Sequence, residues 1–156
     1  MNSPYSRVKA KVSDLLKLLK MDVVYERAEG DWLYYNQDGQ ENKVLDLVGG
    51  FGSLLLGHNH SEIVSTAQDL LKKGTPIHVQ GSQRNYAGLL AEELNRRVEG
   101  DFRVVLTNSG AEAVEAAMKH AMWETNGRTF IALEGAFHGK TLGAVQLTDL
   151  KKYRGP

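Results

Sequence analysis

Ser109-Gly110-Ala111-Glu112 stands where a strand-like run, 102–106, meets a helix-like run, 111–124, with no loop between them. Two kinds of chemistry suit that junction. It fits the capping box S-x-x-E, in which the Ser oxygen and the Glu carboxylate accept hydrogen bonds from backbone N–H groups left free at a helix start. It also suits an anion. A helix that begins at the carboxyl end of a parallel strand turns its free N–H groups and the positive end of its dipole toward the crevice there. Gly110 has no Cβ to hold an anion off the backbone, and Ser109 adds a hydroxyl. Spacing alone requires only the cap.

A second stretch, EGAFHGKT at 134–141, follows the next strand-like run, 128–133. In a strand–helix–strand unit both loops fall at the carboxyl ends of their strands, along the sheet edge where ligands of open α/β folds bind. Phe137 and His138, between Gly135 and Gly139, are expected to be presented rather than buried. A flat aromatic beside an anion seat suits a flat, phosphorylated heteroaromatic ligand. Taken by itself, Phe137 fits core packing as well. His58-Asn59-His60 spells a nuclease-like triplet, but three adjacent residues do not assemble a metal site from separate elements. No metal is expected there, since the ligand set is incomplete. Lys119 pairs with Glu115 at i,i+4 and reads as part of a solvated helix face.

These groups need elements to carry them. Residues 6–20 space Val8, Val12, Leu15, Leu16 and Leu19 as one helix face. Strand-like runs at 23–26, 32–35 and 44–47 flank the hairpin signal Gln37-Asp38-Gly39. DLVGGFGSLLLGHNH, 46–60, reads mainly as loop. Helices are expected at 61–73, with Ser61 as cap and Lys72-Lys73-Gly74 as closure, and at 86–98, with Glu92–Arg96 and Glu93–Arg97 pairs. The unit at 102–133 is a βαβ crossover, which implies an α/β fold with a parallel sheet. The tail KKYRGP ends without a closing element, as in a chain cut short.

Composition narrows the function. Lys plus Arg equals Asp plus Glu at 19 each, so bulk charge favours neither nucleic acid nor an anionic membrane as partner. No cysteine is present, which removes disulfides, thiolate metal sites and a Cys nucleophile. No segment reaches the roughly 18 unbroken apolar residues of a membrane span, nor is the N-terminus of signal-peptide type, so a cytoplasmic location is expected.

Three segments in order, DLVGGFGSLLLGHNHSEIV (46–64), LTNSGAEAVEAAMKHA (106–121) and EGAFHGKTLGAVQLT (134–148), resemble the N-terminal part of the class III (subgroup II) aminotransferases. These are pyridoxal-phosphate enzymes of fold type I, aspartate aminotransferase-like, such as the acetylornithine, ornithine and putrescine aminotransferases. YYNQDGQENKVLDL resembles the stretch that introduces their cofactor domain. The resemblance implies an N-terminal helix and small β segment at 1–48, part of the small domain, and the beginning of the large cofactor domain at 49–156. It implies that Ser109, Gly110 and Ala111 hold the phosphate of pyridoxal 5'-phosphate, that Phe137 stacks on its ring, and that His138 lies beside the ring. Phe51 and Gly52 would contribute to the substrate pocket of the same subunit or of a partner, since these sites form across a homodimer interface. Lys140 takes the substrate-side position after His-Gly where the family often has Arg. Lys does not form the bidentate fork on a carboxylate, so this position looks more like the putrescine branch or other users of amines and aldehydes.

The resemblance also implies what these residues leave out. The acid that holds the pyridine nitrogen protonated and the Schiff-base lysine come after the FHG motif in the family, so no catalytic residue is assigned in this chain. The expectation is the first portion of an aminotransferase, inactive alone, moving an amino group between an amine or amino acid and a 2-oxo acid or aldehyde. With only two strands of the large sheet, it is also expected to fold poorly alone. The alternatives are a non-catalytic phosphate- or nucleotide-binding α/β module, or a dimerisation fragment. Against the module, GxGxxG and GxxxxGK[ST] are both absent.

Overall fold

The computed structural model describes residues 4–79, 81–149 and 153. Most of the expected open tail, 151–152 and 154–156, therefore lies outside the described residues. The chain forms two compact units, Met1–Val79 and Gln80–Pro156.

In the first unit a 3-10 turn at Pro4–Arg7 leads into α1, Ala10–Leu18. The helix closes in a Schellman motif. Lys20 adopts φ 54° while its N–H reaches Lys17 O and the Met21 N–H reaches Leu16 O. The sheet is an antiparallel meander of β1 (Arg27–Glu29), β2 (Trp32–Gln37) and β3 (Gln40–Leu45). Asp38 and Gly39 both have positive φ and pair Gln37 with Gln40, a two-residue hairpin turn of the primed kind. The first strand is not at 23–26 as expected, and β3 begins earlier than 44. The two short turns decide this. Once Gly30-Asp31 and Asp38-Gly39 set the register, the ladder runs through Arg27, Glu29 and Gln40–Lys43, polar residues with no apolar alternation to announce them. Charge and ring contacts brace it: Arg27 lies 3.6 Å from the Tyr34 ring centre and 3.2 Å from Glu41.

After β3 the chain makes a single tight turn, α2 (Gly49–Gly52), where the sequence read as loop. Gly50 and Phe51 there are left-handed, with φ 59° and 57°. Asp46 anchors the turn: its carboxylate accepts the N–H groups of Val48 and Gly49 and lies 3.0 Å from His58 Nε2. The bond to His58, with those two N–H groups, holds the Asp46 carboxyl below its usual range. His58 and Gly30 exchange backbone hydrogen bonds, and a Cβ on Gly57 would come 2.9 Å from Gly30 O, so this loop lies directly against the sheet. Helix α3, Ser61–Lys72, starts one residue earlier than a Ser61 cap requires. His60 is the N-cap and Ser61 the first helical residue. Gly74, at φ 66°, closes α3 in a second Schellman motif.

The second unit holds α4 (Asn85–Arg97), α5 (Gly110–Thr125) and α6 (Leu142–Leu147). On α4, Glu93 takes both arginines, Arg97 at 2.6 Å and also Arg96, which was expected to pair with Glu92. Asn95 holds the returning chain by two bonds to the backbone of Phe102. The expected strands at 102–106 and 128–133 enter no ladder among the described residues. Parallel pairing depends on cover over both faces, and here Val105, Ile131 and Leu133 are 74–97% exposed. The apolar centre of this unit is instead α6 against α5, where Ala144, Val145 and Thr148 are buried.

Candidate functional site

The start of α5 is built as a cap with spare donors. Ser109 is extended, at φ −152° and ψ 157°, and its Oγ accepts the Glu112 N–H at 3.2 Å. The Glu112 carboxylate reaches back to the Asn108 N–H at 2.8 Å, one residue further than the usual box. The N–H groups of Gly110 and Ala111 have no acceptor among the described residues. They sit at the positive end of a 16-residue helix, with open space where a Cβ on Gly110 would be.

A second wall faces them. The chain turns at Gly135, whose N–H is held by Asp149 at 2.7 Å, and the Asp149 N–H returns to Ala136 O. The His138 N–H donates to Thr148 Oγ1 at 3.0 Å, and that hydroxyl lies 3.0 Å from Gly139 O and 3.2 Å from Ala144 O, sharing its one proton between them. Gly139 then comes so close to the first turn of α5 that a Cβ on it would lie 2.6 Å from the Ala111 Cβ. Glycine is what lets the two walls meet.

Between the walls is an open hollow of about 470 Å3 lined by Gly110, Ala111, Val114, Phe137, His138, Gly139 and Lys140. Phe137 is 55% exposed and meets Tyr153 edge to face, with ring centres 6.0 Å apart. Lys140 Nζ stands 5.0 Å from the Tyr153 ring centre and 5.9 Å from that of Phe137. His138 is half-buried beside them. A larger hollow, about 810 Å3, lies at the other end of α5. Its Lys119 and Arg128 sit where cations offset the negative end of the helix dipole, which is the wrong end for an anion. The chemistry therefore favours the smaller hollow.

Of the residues singled out from sequence, Gly110, Ala111, Phe137, His138 and Lys140 line this one hollow, and Ser109 caps the helix at its edge. Phe51 and Gly52 belong to the other unit, on the left-handed turn of α2, where Phe51 is 97% exposed. Sequence reasoning missed Thr148, Asp149 and Glu115. Glu115 does not act as the solvated partner of Lys119. Its Oε1 accepts the Gly143 N–H at 2.7 Å and the Ala144 N–H at 3.1 Å. With the Thr141 side chain, these bonds hold the Glu115 carboxyl below its usual range. The one sequence signal was Thr141-Leu142-Gly143, a helix start whose glycine leaves room for a visiting carboxylate. Among the described residues no cluster of three or more His, Asp and Glu side chains is arranged to hold a metal ion, and no helix is long and apolar enough to cross a membrane.

The residues fit a phosphorylated aromatic ligand on these observations: free N–H donors without side-chain obstruction on one wall, and a presented ring on the other. Comparison with known proteins identifies the family. Residues 17–155 match the family described as aminotransferase class-III. The acetylornithine aminotransferase of Archaeoglobus fulgidus is 38% identical over 138 residues, covering 88% of this chain and 35% of that protein. The putrescine aminotransferase of Pectobacterium atrosepticum is 38% identical over 123 residues, covering 76% of this chain and 26% of its own. The crystal structure of an S-selective transaminase from Arthrobacter sp. with alanine bound superposes with a TM-score of 0.71 at 25% identity, over 85% of this chain and 29% of that one. The chain thus spans between 26% and 35% of the length of these proteins.

Proposed function

The chain belongs to the class III aminotransferases, and we propose that it supplies the cofactor-anchoring part of a pyridoxal-phosphate-dependent aminotransferase. The family's cofactor is pyridoxal 5'-phosphate, and the mixed α/β architecture is that of part of a fold type I enzyme. The observation that carries the reading is the meeting of the α5 N-terminus with the Phe137–Lys140 loop around one hollow.

When bound, the cofactor supplies the electron sink through which an amino group passes between an amine or amino acid and a 2-oxo acid or aldehyde. The chain's own residues bind and orient it. The N–H groups of Gly110 and Ala111, with the Ser109 hydroxyl, hold the phosphate. Phe137 covers one ring face and His138 lies at the ring's side, so together they restrict water there. Lys140 contributes a single, strongly hydrated charge on the substrate side, which suits an amine or aldehyde user better than a clamped α-carboxylate. Phe51 and Gly52 add to the substrate pocket of the same or a partner subunit in a cytoplasmic homodimer acting on small molecules. Residues 1–48 belong to the small domain and 49–156 open the large one. In the family the lysine that bonds the cofactor comes after the FHG motif, so no transamination is expected of these 156 residues by themselves.

Gly110→Asp tests the phosphate seat apart from the fold. An acidic residue in the first turn favours the helix, and a Cβ there meets nothing within 4 Å. The same charge repels a phosphate. Titration calorimetry is expected to show one saturable site for pyridoxine 5'-phosphate in the wild-type chain, weakened at least about tenfold in Gly110→Asp, with unchanged or higher melting temperature. Equal binding by both proteins overturns the seat.

A further inference from the structure

We propose that Glu115 is a positioning residue of this site: its carboxylate, one turn into α5, caps the start of α6 and so holds the Phe137–Lys140 loop against the phosphate seat. The proposal rests on the reading of the hollow as a pyridoxal-phosphate site.

The second and third N–H groups of a helix are ordinarily satisfied by its N-cap side chain. Thr141, the N-cap of α6, makes no such bond. Glu115 Oε1 takes both of these N–H groups instead, from another helix. Gly143 is shaped to this arrangement, because a Cβ on it would run into Glu115 Oε2. Helix α6 has six residues, too few to be stable unaided, so its place depends on such ties. Its other end is tied as well, since buried Thr148 accepts the His138 N–H and donates toward Gly139 O. The loop bearing Phe137 and Lys140 is therefore gripped from both ends of α6, and the grip at the start of that helix runs through Glu115.

Two carboxylates one turn apart on α5 thus serve different walls. Glu112 closes the cap of α5 itself, where the phosphate is received, and Glu115 fixes the facing wall, where the ring is received. Removing Glu115 is expected to loosen ring recognition while leaving the phosphate seat standing. A residue that only stabilised the fold would affect both together.

The test titrates the 156-residue wild-type chain, Glu115→Ala and Glu115→Gln with two ligands. Pyridoxine 5'-phosphate carries an alcohol in place of the aldehyde, so no lysine adduct obscures its binding. Inorganic phosphate reports the seat alone. For Glu115→Ala the expected result is about tenfold weaker pyridoxine 5'-phosphate binding with phosphate binding changed less than about twofold. Hydrogen exchange at the Gly143 and Ala144 amides is expected to speed up in the same variant. Glu115→Gln keeps an acceptor oxygen and is expected to recover most of the affinity and the protection. Unchanged exchange and unchanged ring-ligand affinity in Glu115→Ala overturn the role of Glu115 and leave the site itself standing. Equal loss of both ligands, together with helical signal, assigns Glu115 to the fold alone and also overturns it. A wild-type chain that binds phosphate but not pyridoxine 5'-phosphate overturns the cofactor reading and this proposal with it.

Discussion

Gly139 shows how much of the site hangs on single atoms. The loop bearing Phe137 and His138 reaches α5 only because position 139 lacks a Cβ, which would otherwise lie 2.6 Å from that of Ala111. Gly139→Ala is expected to cost about 1–3 kcal/mol in overpacking, read as a lower urea midpoint. Its pyridoxine 5'-phosphate affinity is expected to fall in parallel, because the two walls are pushed apart. A variant with wild-type midpoint would overturn the close approach of the loop to α5. Ser109 carries two duties at once, cap and phosphate ligand. Ser109→Ala is expected to cost about 1 kcal/mol from the lost cap and to weaken phosphate binding, whereas Ser109→Asp is expected to restore the cap and not the binding.

At the scale of elements, carboxylates do the joining. Asp46 ties the left-handed turn of α2 to His58, and Glu115 ties α5 to α6. Both are held below their usual pKa ranges by the hydrogen bonds they accept. A folded-state pKa below the unfolded one means that the folded state binds fewer protons. The stabilisation is therefore complete above the ordinary carboxylate pKa and is lost as pH falls through the depressed values. Denaturation midpoints are expected to hold steady from neutral pH down to the ordinary carboxylate range and then to drop. The drop is expected to be shallower in Asp46→Asn and in Glu115→Gln. An acid limb of identical steepness in all three proteins would refute it. Helix ends respond to backbone shape instead. Lys20 pays for a left-handed conformation at the close of α1, so Lys20→Gly is expected to raise stability by up to about 1 kcal/mol in thermal melts.

At the scale of the molecule, the buried apolar side chains among the described residues are the small ones of α6, Ala144 and Val145. Leu55, Ile77, Ile131 and Leu133 are 80–97% exposed. Exposed apolar residues in such number mark surfaces made to be covered. The isolated chain is expected to bind a hydrophobic dye such as ANS in native buffer and to associate as its concentration rises, as light scattering would register. A chain that stays monomeric and dark with the dye would contradict this.

Local chemistry was legible in the amino-acid sequence. The S-x-x-E box at Ser109, the Asp38-Gly39 hairpin, the closing glycine at 74 and the FHG loop depend on neighbours a few residues away, so spacing reveals them. The three ordered motifs carried the family for the same reason. Limits came within a residue or two for α3, α4 and α5. Helix α1 begins four residues later than the apolar spacing from residue 6, behind a 3-10 turn, and α6, whose start is capped from α5, was not legible as a helix. What only the tertiary structure decided depends on residues distant along the chain. It assigned Glu115 to Gly143 rather than to Lys119, placed Thr148 under His138, and set the strand register by two short turns rather than by apolar alternation. Among the described residues it also left 102–106 and 128–133 without a ladder. A parallel strand is made by the neighbours and layers around it, and those lie beyond what periodicity within the run encodes.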